Sequence, residues 1–385
     1  IPNKLDMWRL DQEECLWEFV ECENGEITML TLDEVFEGGS RIPMELGMAF
    51  DKLQYLSMSK NGFKGTLPPS FYRLTNLQYL DLHENLLESP LDESIGRLFV
   101  QLQTLDLHEN SFSGSLPSTI ANLENLVSLR LGSNFFKSEV LDTIIMSLTN
   151  LEHLELSNNR FSGTIPYDLT MELSSLTSLD LGENAFFGDF ELLPGDDAPL
   201  KNLVVQGNAL FGTFPNFIGN FTNLEILRFG NSNVAGSIPP ELGRLEKLHT
   251  LSIESNKLTG SIPTSLGLLS ALQVLWLDKN RLEGSIPTEI GNLRKLTSIY
   301  FQSNEFQNTL PTELGLLTDL YELFADINRF TGTFPTELTQ LTNLEYLTLS
   351  FNRIDAPTPP EMCSIDLIIY EADCDDECEC CTRCW

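Results

Sequence analysis

The sequence predicts an α/β solenoid of about 13 coils. The first observation is a line of sequence that recurs, as in LHTLSIESNKLTGSIP from Leu248 and LQVLWLDKNRLEGSIP from Leu272. The second is the spacing of its asparagine, which returns every 24 or 25 residues, with Ser232 in one copy. The third is that all eight cysteines lie near the two ends of the chain. A fixed period of this length is typical of solenoids, whose repeats contact mainly their neighbours, so we expect one elongated domain.

Each copy begins with the pattern LxxLxLxx, which predicts a short strand whose leucines point inward. The asparagine follows the strand, and we expect its amide to bind buried backbone groups of adjacent coils. Two residues later comes a second core position, often Phe. The asparagine column consists of Asn61, Asn85, Asn110, Asn134, Asn159, Asn184, Asn208, Asn256, Asn280, Asn304, Asn328 and Asn352.

The end of each copy reads GxIP, as in Gly260–Pro263 and Gly284–Pro287. The glycine permits a tight turn, and the proline leads into a short helical turn on the convex side. This element resembles the plant-specific subclass of extracellular leucine-rich repeat proteins, and the resemblance covers roughly residues 15–360. It implies a parallel concave sheet, a second short strand in each coil and a right-handed superhelix. We expect an N-terminal cap over residues 1–37, repeats over 38–357 and a Cys-rich C-terminal cap over 358–385.

The cysteines predict disulfide-capped ends and an oxidising compartment. The segment Cys15–Cys22, C-x-W-x-x-V-x-C, resembles the N-terminal cap of the same subclass, and a Cys15–Cys22 disulfide would cover the first coil. The other cysteines resemble those in tails of secreted algal leucine-rich repeat proteins. Disulfides are favoured there over thiolate-bound zinc, and their pairing stays open. They are Cys363, Cys374, Cys378, Cys380, Cys381 and Cys384.

The composition favours a secreted, extracellular protein. A net charge of -33 is poorly suited to nucleic acid, whose phosphates favour basic surfaces. No run of eighteen apolar residues that could span a bilayer is present. The sequence begins without Met or a secretion signal, and we interpret it as a mature or trimmed form. The sequon at Asn220 predicts a glycosylation site on the convex side.

Four positions of each coil are expected on the concave face: those before and after the second Leu, and the two before the asparagine. In the later coils these positions turn aromatic or apolar. Large exposed apolar patches mark interaction sites, and aromatic residues dominate binding hot spots. The alternative is that the rings merely cover one another or that a lateral loop covers them. The predicted ligand-binding residues are Trp276, Tyr300, Phe324, Tyr346, Ile327 and Phe351.

In the earlier coils the same positions are mostly acidic or His. Each of two successive coils has two carboxylates and one imidazole at these positions, which the repeat aligns. This set predicts a site for a divalent cation such as calcium, bound through oxygen ligands. The alternative is a solvated acidic face without a cation. The residues are Asp81, His83, Glu84, Asp106, His108 and Glu109.

The sequence contains no catalytic or nucleotide-binding motif, and a non-catalytic module without an organic cofactor is expected. We therefore predict a recognition or adhesion module that binds a peptide, a protein or a cell-wall polysaccharide, similar to the ectodomains of plant-type receptors. One alternative is an inhibitor of a secreted, cell-wall-degrading enzyme, as relatives of this subclass imply. A structural or ice-binding protein is the third hypothesis.

Overall fold

The structure is a computed structural model that describes Cys15 and residues 19–36, 38–139, 141, 144–193, 198–354, 361–362, 365, 367–372 and 381–384. It comprises two compact units, Ile1–Phe186 and Phe187–Trp385. Each unit is a stack of coils, as the repeat predicts. The boundaries of the caps predicted from the sequence stay predictions.

In the first unit, the LxxLxLxx segments form short parallel strands that pair in register with the next coil. For example, Leu80 lies opposite Leu56 and Leu105. The first strand is the exception, because it is antiparallel to the second. The strands are Val20–Glu23, Glu26–Thr31, Tyr55–Ser57, Tyr79–Asp81, Thr104–Asp106, Ser128–Arg130, His153–Glu155 and Ser178–Asp180.

The second unit repeats this arrangement with the same register. Leu275 lies opposite Leu251 and Ile299, and the three side chains are fully buried. The strands are Asn202–Val204, Ile226–Arg228, Thr250–Ser252, Val274–Trp276, Ser298–Tyr300, Glu322–Phe324, Tyr346–Thr348, Ile369–Ala372 and Arg383–Cys384.

After the asparagine, most coils carry a second short strand, as the resemblance implies. Those of the first unit are Lys64–Gly65, Leu86–Pro90, Ser111–Gly114, Phe135–Phe136 and Ser162–Gly163. Ala185–Asp189 begins in the first unit and ends in the second. Those of the second are Ala209–Phe211, Ala235–Gly236, Lys257–Gly260, Arg281–Gly284, Glu305–Asn308, Arg329–Gly332 and Arg353–Ile354.

Short helices follow the second strands, and prolines precede most of them. The α-helices are Leu46–Ala49, Ser94–Leu98 and Leu169–Glu172. The 3₁₀ helices are Pro69–Arg73, Ser118–Asn122, Ile145–Ser147, Asn216–Asn220, Pro240–Arg244, Thr264–Leu268, Thr288–Asn292, Thr312–Leu316 and Thr336–Gln340. None of the helices in the described part of the chain has the length and apolar character needed to cross a membrane.

The asparagines form the hydrogen-bonded ladder that the sequence predicts. Asn304 is typical: its Nδ2 donates to the Leu277 carbonyl of the preceding coil at 2.9 Å and to the Phe301 carbonyl of its own coil at 3.1 Å. Its Oδ1 accepts from the Leu282 amide at 3.0 Å. Because Asn304 is buried, these bonds satisfy backbone groups that water cannot reach. One amide therefore ties each such coil to the coil before it.

The structure describes the bonding of three of the terminal cysteines. Cys15 and Cys22 form the predicted disulfide, with their Cα atoms 5.6 Å apart. Cys381 is also disulfide-bonded. The predictions for Cys363, Cys374, Cys378 and Cys380, and for the side chain of Cys384, lie outside the described residues.

Candidate functional site

The face of each sheet that points away from the leucine core consists of four residues per coil, and we call it the outer sheet face. In the coil from Leu272 these residues are Val274, Trp276, Asp278 and Lys279. Strand alternation places the first two beside inward Leu275, which is fully buried. Parallel register then aligns each position with its equivalent in the next coil.

Three aromatic side chains line up on this face of the second unit. Register pairs Trp276 with Tyr300, and Tyr300 with Phe324. The Trp276 and Tyr300 rings meet edge to face with centroids 5.3 Å apart, and those of Tyr300 and Phe324 stack at 4.7 Å. The three side chains are partly buried, so each ring covers part of the next and leaves the remainder to solvent. The predicted column therefore exists, with contacts that hold its rings in place.

Glu322 fixes the middle ring of this column. Its Oε2 accepts hydrogen bonds from Ser298 Oγ and Tyr300 Oη, both at 2.9 Å. Burial and then the bond to Glu322 raise the pKa of the Tyr300 hydroxyl above its ordinary value. Tyr300 therefore stays protonated and keeps its donor directed at Glu322.

Ile327 and Phe351 stand on adjacent coils at the position immediately before the ladder asparagine. Their side chains are 50% and 53% exposed. Their backbones have φ values of 54° and 56°, in the left-handed region, which is a genuine outlier for bulky or β-branched residues. The equivalent residues that share this conformation are otherwise polar or glycine: Lys60, Glu84, Glu109, Ser133, Asn158, Glu183, Gly207, Asn231, Ser255, Lys279 and Ser303.

Two polar atoms near the aromatic column have no hydrogen-bond partner among the described residues. Both Trp276 Nε1, a donor, and Gln302 Oε1, an acceptor, are buried atoms. Buried polar atoms in native proteins are almost always paired with protein groups or ordered water, so water or a ligand would satisfy this donor and acceptor. Trp276 was predicted from the sequence. Gln302 was not, because its residue type carries no signal of function.

Asp278, two residues after Trp276 in the same coil, is an acidic residue next to the aromatic column. Burial and the neighbouring Glu254 carboxylate raise the pKa of the Asp278 carboxyl from 3.8 to about 6, although the Lys279 ammonium lies 3.7 Å away. A carboxylate in such surroundings gains from a further cation, because an opposite charge stabilises its ionised form.

Tyr346 occupies a different position of the outer sheet face from the aromatic column. Its described ring contact is with Tyr321, with centroids 5.4 Å apart. Tyr321 is 38% exposed and donates from Oη to Glu345 Oε2 at 2.7 Å. Sequence reasoning missed Tyr321 because it directly follows the first Leu of its repeat, outside the four positions considered. The six predicted residues thus lie on four successive coils of the second unit, and described ring contacts join Trp276, Tyr300 and Phe324 to one another.

The predicted cation residues lie together on the outer sheet face of the first unit. His83 and His108 stack with ring centroids 4.5 Å apart and an interplanar angle of 7°. Their Nδ1 atoms lie 2.7 Å from Asp81 Oδ1 and 2.6 Å from Asp106 Oδ1, respectively. The hydrogen bond to Asp106 raises the pKa of His108. Sequence reasoning did not predict that each histidine is paired with its own aspartate.

Tyr55 and Tyr79 stack in the same unit with centroids 4.1 Å apart, a pair that sequence reasoning also missed. Asn220 is exposed at the end of a short helix, as its predicted modification requires, and glycosylation stays a prediction.

Comparison of the sequence with protein families gives two matches. A profile described as a leucine-rich repeat region matches residues 72–183. The profile of the single leucine-rich repeat matches residues 52–74, 247–269, 271–293 and 343–365. No curated protein sequence is significantly similar to the chain.

Solved structures show the same fold. The plant peptide hormone receptor RGFR1, in complex with RGF2, is 26% identical, with a TM-score of 0.69 over 93% of this chain and 68% of its own. The ectodomain of the Arabidopsis thaliana receptor kinase GASSHO1/SCHENGEN3, in complex with CASPARIAN STRIP INTEGRITY FACTOR 2, is 32% identical with a TM-score of 0.61. That alignment covers 85% of this chain and only 44% of the receptor chain. A leucine-rich repeat protein of Leptospira interrogans is 30% identical, with a TM-score of 0.68 over 86% of this chain and 81% of its own.

Proposed function

Because the chain belongs to the leucine-rich repeat family, we propose that it is a non-catalytic, extracellular recognition module. Its ligand is an extended peptide segment of a partner, bound on the outer sheet face of the second unit. The proposal commits to Trp276, Tyr300, Phe324, Ile327 and Phe351 as the apolar contacts.

One observation carries the proposal: Ile327 and Phe351 are both exposed and both held in the left-handed conformation. The left-handed conformation disfavours an L residue by about 1–2 kcal/mol. Exposure of the apolar side chains to water is unfavourable as well. Polar residues at the equivalent places avoid the exposure of apolar surface. The turn itself is common to the coils, so what distinguishes Ile327 and Phe351 is that bulky apolar side chains occupy it. A ligand that covers both side chains gives them a role.

A peptide fits the polar atoms of this face better than a purely apolar ligand does. A peptide group has both an N–H and a carbonyl, which complement Gln302 Oε1 and Trp276 Nε1 once rotation of the two partly exposed side chains brings these buried atoms to the surface. RGFR1 is described in complex with RGF2, and GASSHO1/SCHENGEN3 with CASPARIAN STRIP INTEGRITY FACTOR 2, which supports a peptide or protein ligand for a chain of this fold. The acidic Asp278 further favours peptides with a basic residue.

The test is selection from a random peptide library displayed on phage, with the disulfide-intact chain as bait. We expect selected peptides that bear aromatic or aliphatic and basic residues. Their affinity should fall at least ~30-fold in the Trp276→Ser/Phe351→Ser variant, since hot-spot residues each contribute roughly 2 kcal/mol or more. The matched control is Leu268→Ser, which removes a 61% exposed apolar side chain from a short helix of the same unit. Peptides that bind all three proteins equally would refute the assignment.

The inhibitor hypothesis rests on the charge of the chain and leads to a different expectation. A basic secreted enzyme would bind mainly through long-range attraction to the acidic surface, so raising the salt concentration would weaken binding strongly. Binding through the aromatic column would change little over the same range.

A further inference from the structure

The two stacked histidines of the first unit form the centre of an organised cluster of metal-ligating groups. In each, Nδ1 lies within hydrogen-bond distance of an aspartate two residues earlier in its own coil. The side chains of Asp81 and Asp106 are only 9% and 7% exposed, and those of His83 and His108 are 19% and 21% exposed. The aspartates are therefore buried beneath imidazoles that remain accessible.

This pairing determines which nitrogen of each ring can bind a ligand. A carboxylate at Nδ1 keeps the proton on that nitrogen, which leaves the lone pair on Nε2. Metal-binding histidines in proteins show the same arrangement, with the far nitrogen bonded to a carboxylate that orients the ring and raises its basicity.

Two exposed glutamates lie close to these rings. Glu84 Oε1 is 3.7 Å from His83 Nε2. Glu84, His108 and Glu109 have ligand atoms that all lie within 4.8 Å of one another. A second set, His83, Asp106 and His108, meets the same distance, but Asp106 Oδ1 already accepts from His108. Glu84 and Glu109 are the carboxylates nearer solvent.

Basic side chains flank this cluster on both sides. Lys60 Nζ lies 3.7 Å from Glu84 Oε1, and Arg130 Nη1 lies 3.7 Å from Asp106 Oδ2. The coil after His108 carries Arg130, Gly132 and Ser133 at the equivalent positions, so the run of ligating side chains ends there. The cluster is thus confined to two coils.

We propose that the first unit binds one divalent transition metal ion of the Zn²⁺ class through His108 Nε2, Glu84 and Glu109, with His83 Nε2 as the fourth ligand. Imidazole nitrogen suits zinc, whereas calcium takes oxygen ligands, so we propose a zinc-class ion where the sequence alone predicts a calcium-type ion. Zinc holds such ligands at about 2.0–2.2 Å, so binding would draw the exposed Glu84 and Glu109 carboxylates towards the imidazole nitrogens. Asp81 and Asp106 are positioning residues.

The test is calorimetric titration of the chelator-treated, disulfide-intact chain with ZnCl₂. We expect one strongly bound ion per chain, retained in an excess of CaCl₂. The double variant His83→Gln/His108→Gln should lose this binding, while His249→Gln, which alters a histidine of the second unit, should not. Titration with Co²⁺ should give the visible absorption of a tetrahedral nitrogen and oxygen site.

The aspartates provide a second variant, independent of the ligands. Asp106→Asn should weaken zinc binding by ~10–100-fold, the usual effect of removing the carboxylate behind a ligating histidine. Circular dichroism matched to the wild type excludes a folding defect. Zinc that binds the His83→Gln/His108→Gln variant as tightly as the wild type would place the metal elsewhere, including the cysteine-rich tail, and overturn the proposal. Displacement by calcium, or no zinc binding at all, would also overturn it.

Discussion

Ile327→Asn should make the protein more stable and weaken ligand binding at the same time. The change keeps the left-handed backbone but supplies a residue whose short polar side chain tolerates it. Replacing a β-branched residue in this strained conformation should raise the free energy of unfolding by about 2 kcal/mol. Since the side chain is 50% exposed, its removal forfeits only about 1 kcal/mol of apolar burial. The net expectation is a gain of about 1 kcal/mol in the free energy of unfolding.

Urea unfolding followed by circular dichroism measures this gain as a higher midpoint with an unchanged slope. Ile327→Leu is the matched control, because it retains the apolar surface while removing the branch at Cβ, and it should be more stable than wild type by a smaller amount. Peptides selected on the wild type should bind Ile327→Leu normally and Ile327→Asn at least ~10-fold more weakly. An Ile327→Asn protein less stable than wild type would show that Ile327 is not strained, and the argument from conformation would fail.

Three further predictions concern the stability of the second unit. Asn304→Ala should cost about 2–4 kcal/mol, because it leaves the Leu282 amide and two carbonyls without their buried partner; a urea midpoint equal to wild type would contradict the ladder. Gly243→Ala should cost about 1–3 kcal/mol, because the added Cβ would lie 2.4 Å from the Ser265 backbone oxygen, and thermal unfolding measures the loss. Asp278, whose folded pKa of about 6 exceeds its unfolded value of 3.8, contributes stability that is present below pH 3.8 and is lost as the pH rises through 6. The stability advantage of Asp278→Asn over the wild type should therefore grow between pH 4 and pH 7, by on the order of 2 kcal/mol. If the urea midpoints of the two proteins kept a constant difference across that range, the raised pKa of Asp278 would be refuted.

Most of the fold was predictable from the sequence because the coils repeat the same pattern of buried leucines and asparagine. The asparagine period and the alternating leucines specify the strands, their register and the buried ladder. A second strand was implied by the GxIP resemblance and is confirmed in most coils. The Cys15–Cys22 disulfide was predicted from spacing and need for a cap, and it is also confirmed.

The candidate sites were predictable as positions but not as chemistry. Periodicity placed Trp276, Tyr300 and Phe324 in one column, but it could not show that each ring partly covers the next. Nothing in residue type shows that Ile327 has a left-handed backbone, because that conformation follows from the turn that every coil makes before its asparagine. The pairing of His108 with Asp106 likewise depends on side-chain rotation, which a repeat pattern does not encode.

The asparagine ladder also bears on how the molecule would respond to mechanical force. Within each unit, an amide such as that of Asn304 binds backbone groups of the preceding coil, which lie 22 to 27 residues earlier in the chain. Tension applied along the stack would therefore break contacts one interface at a time. Each released coil of 24 residues would add roughly 80 Å of extended chain. A protein anchored at one end and loaded at the other would lengthen in regular steps, and so dissipate a pull that would open a globular domain all at once.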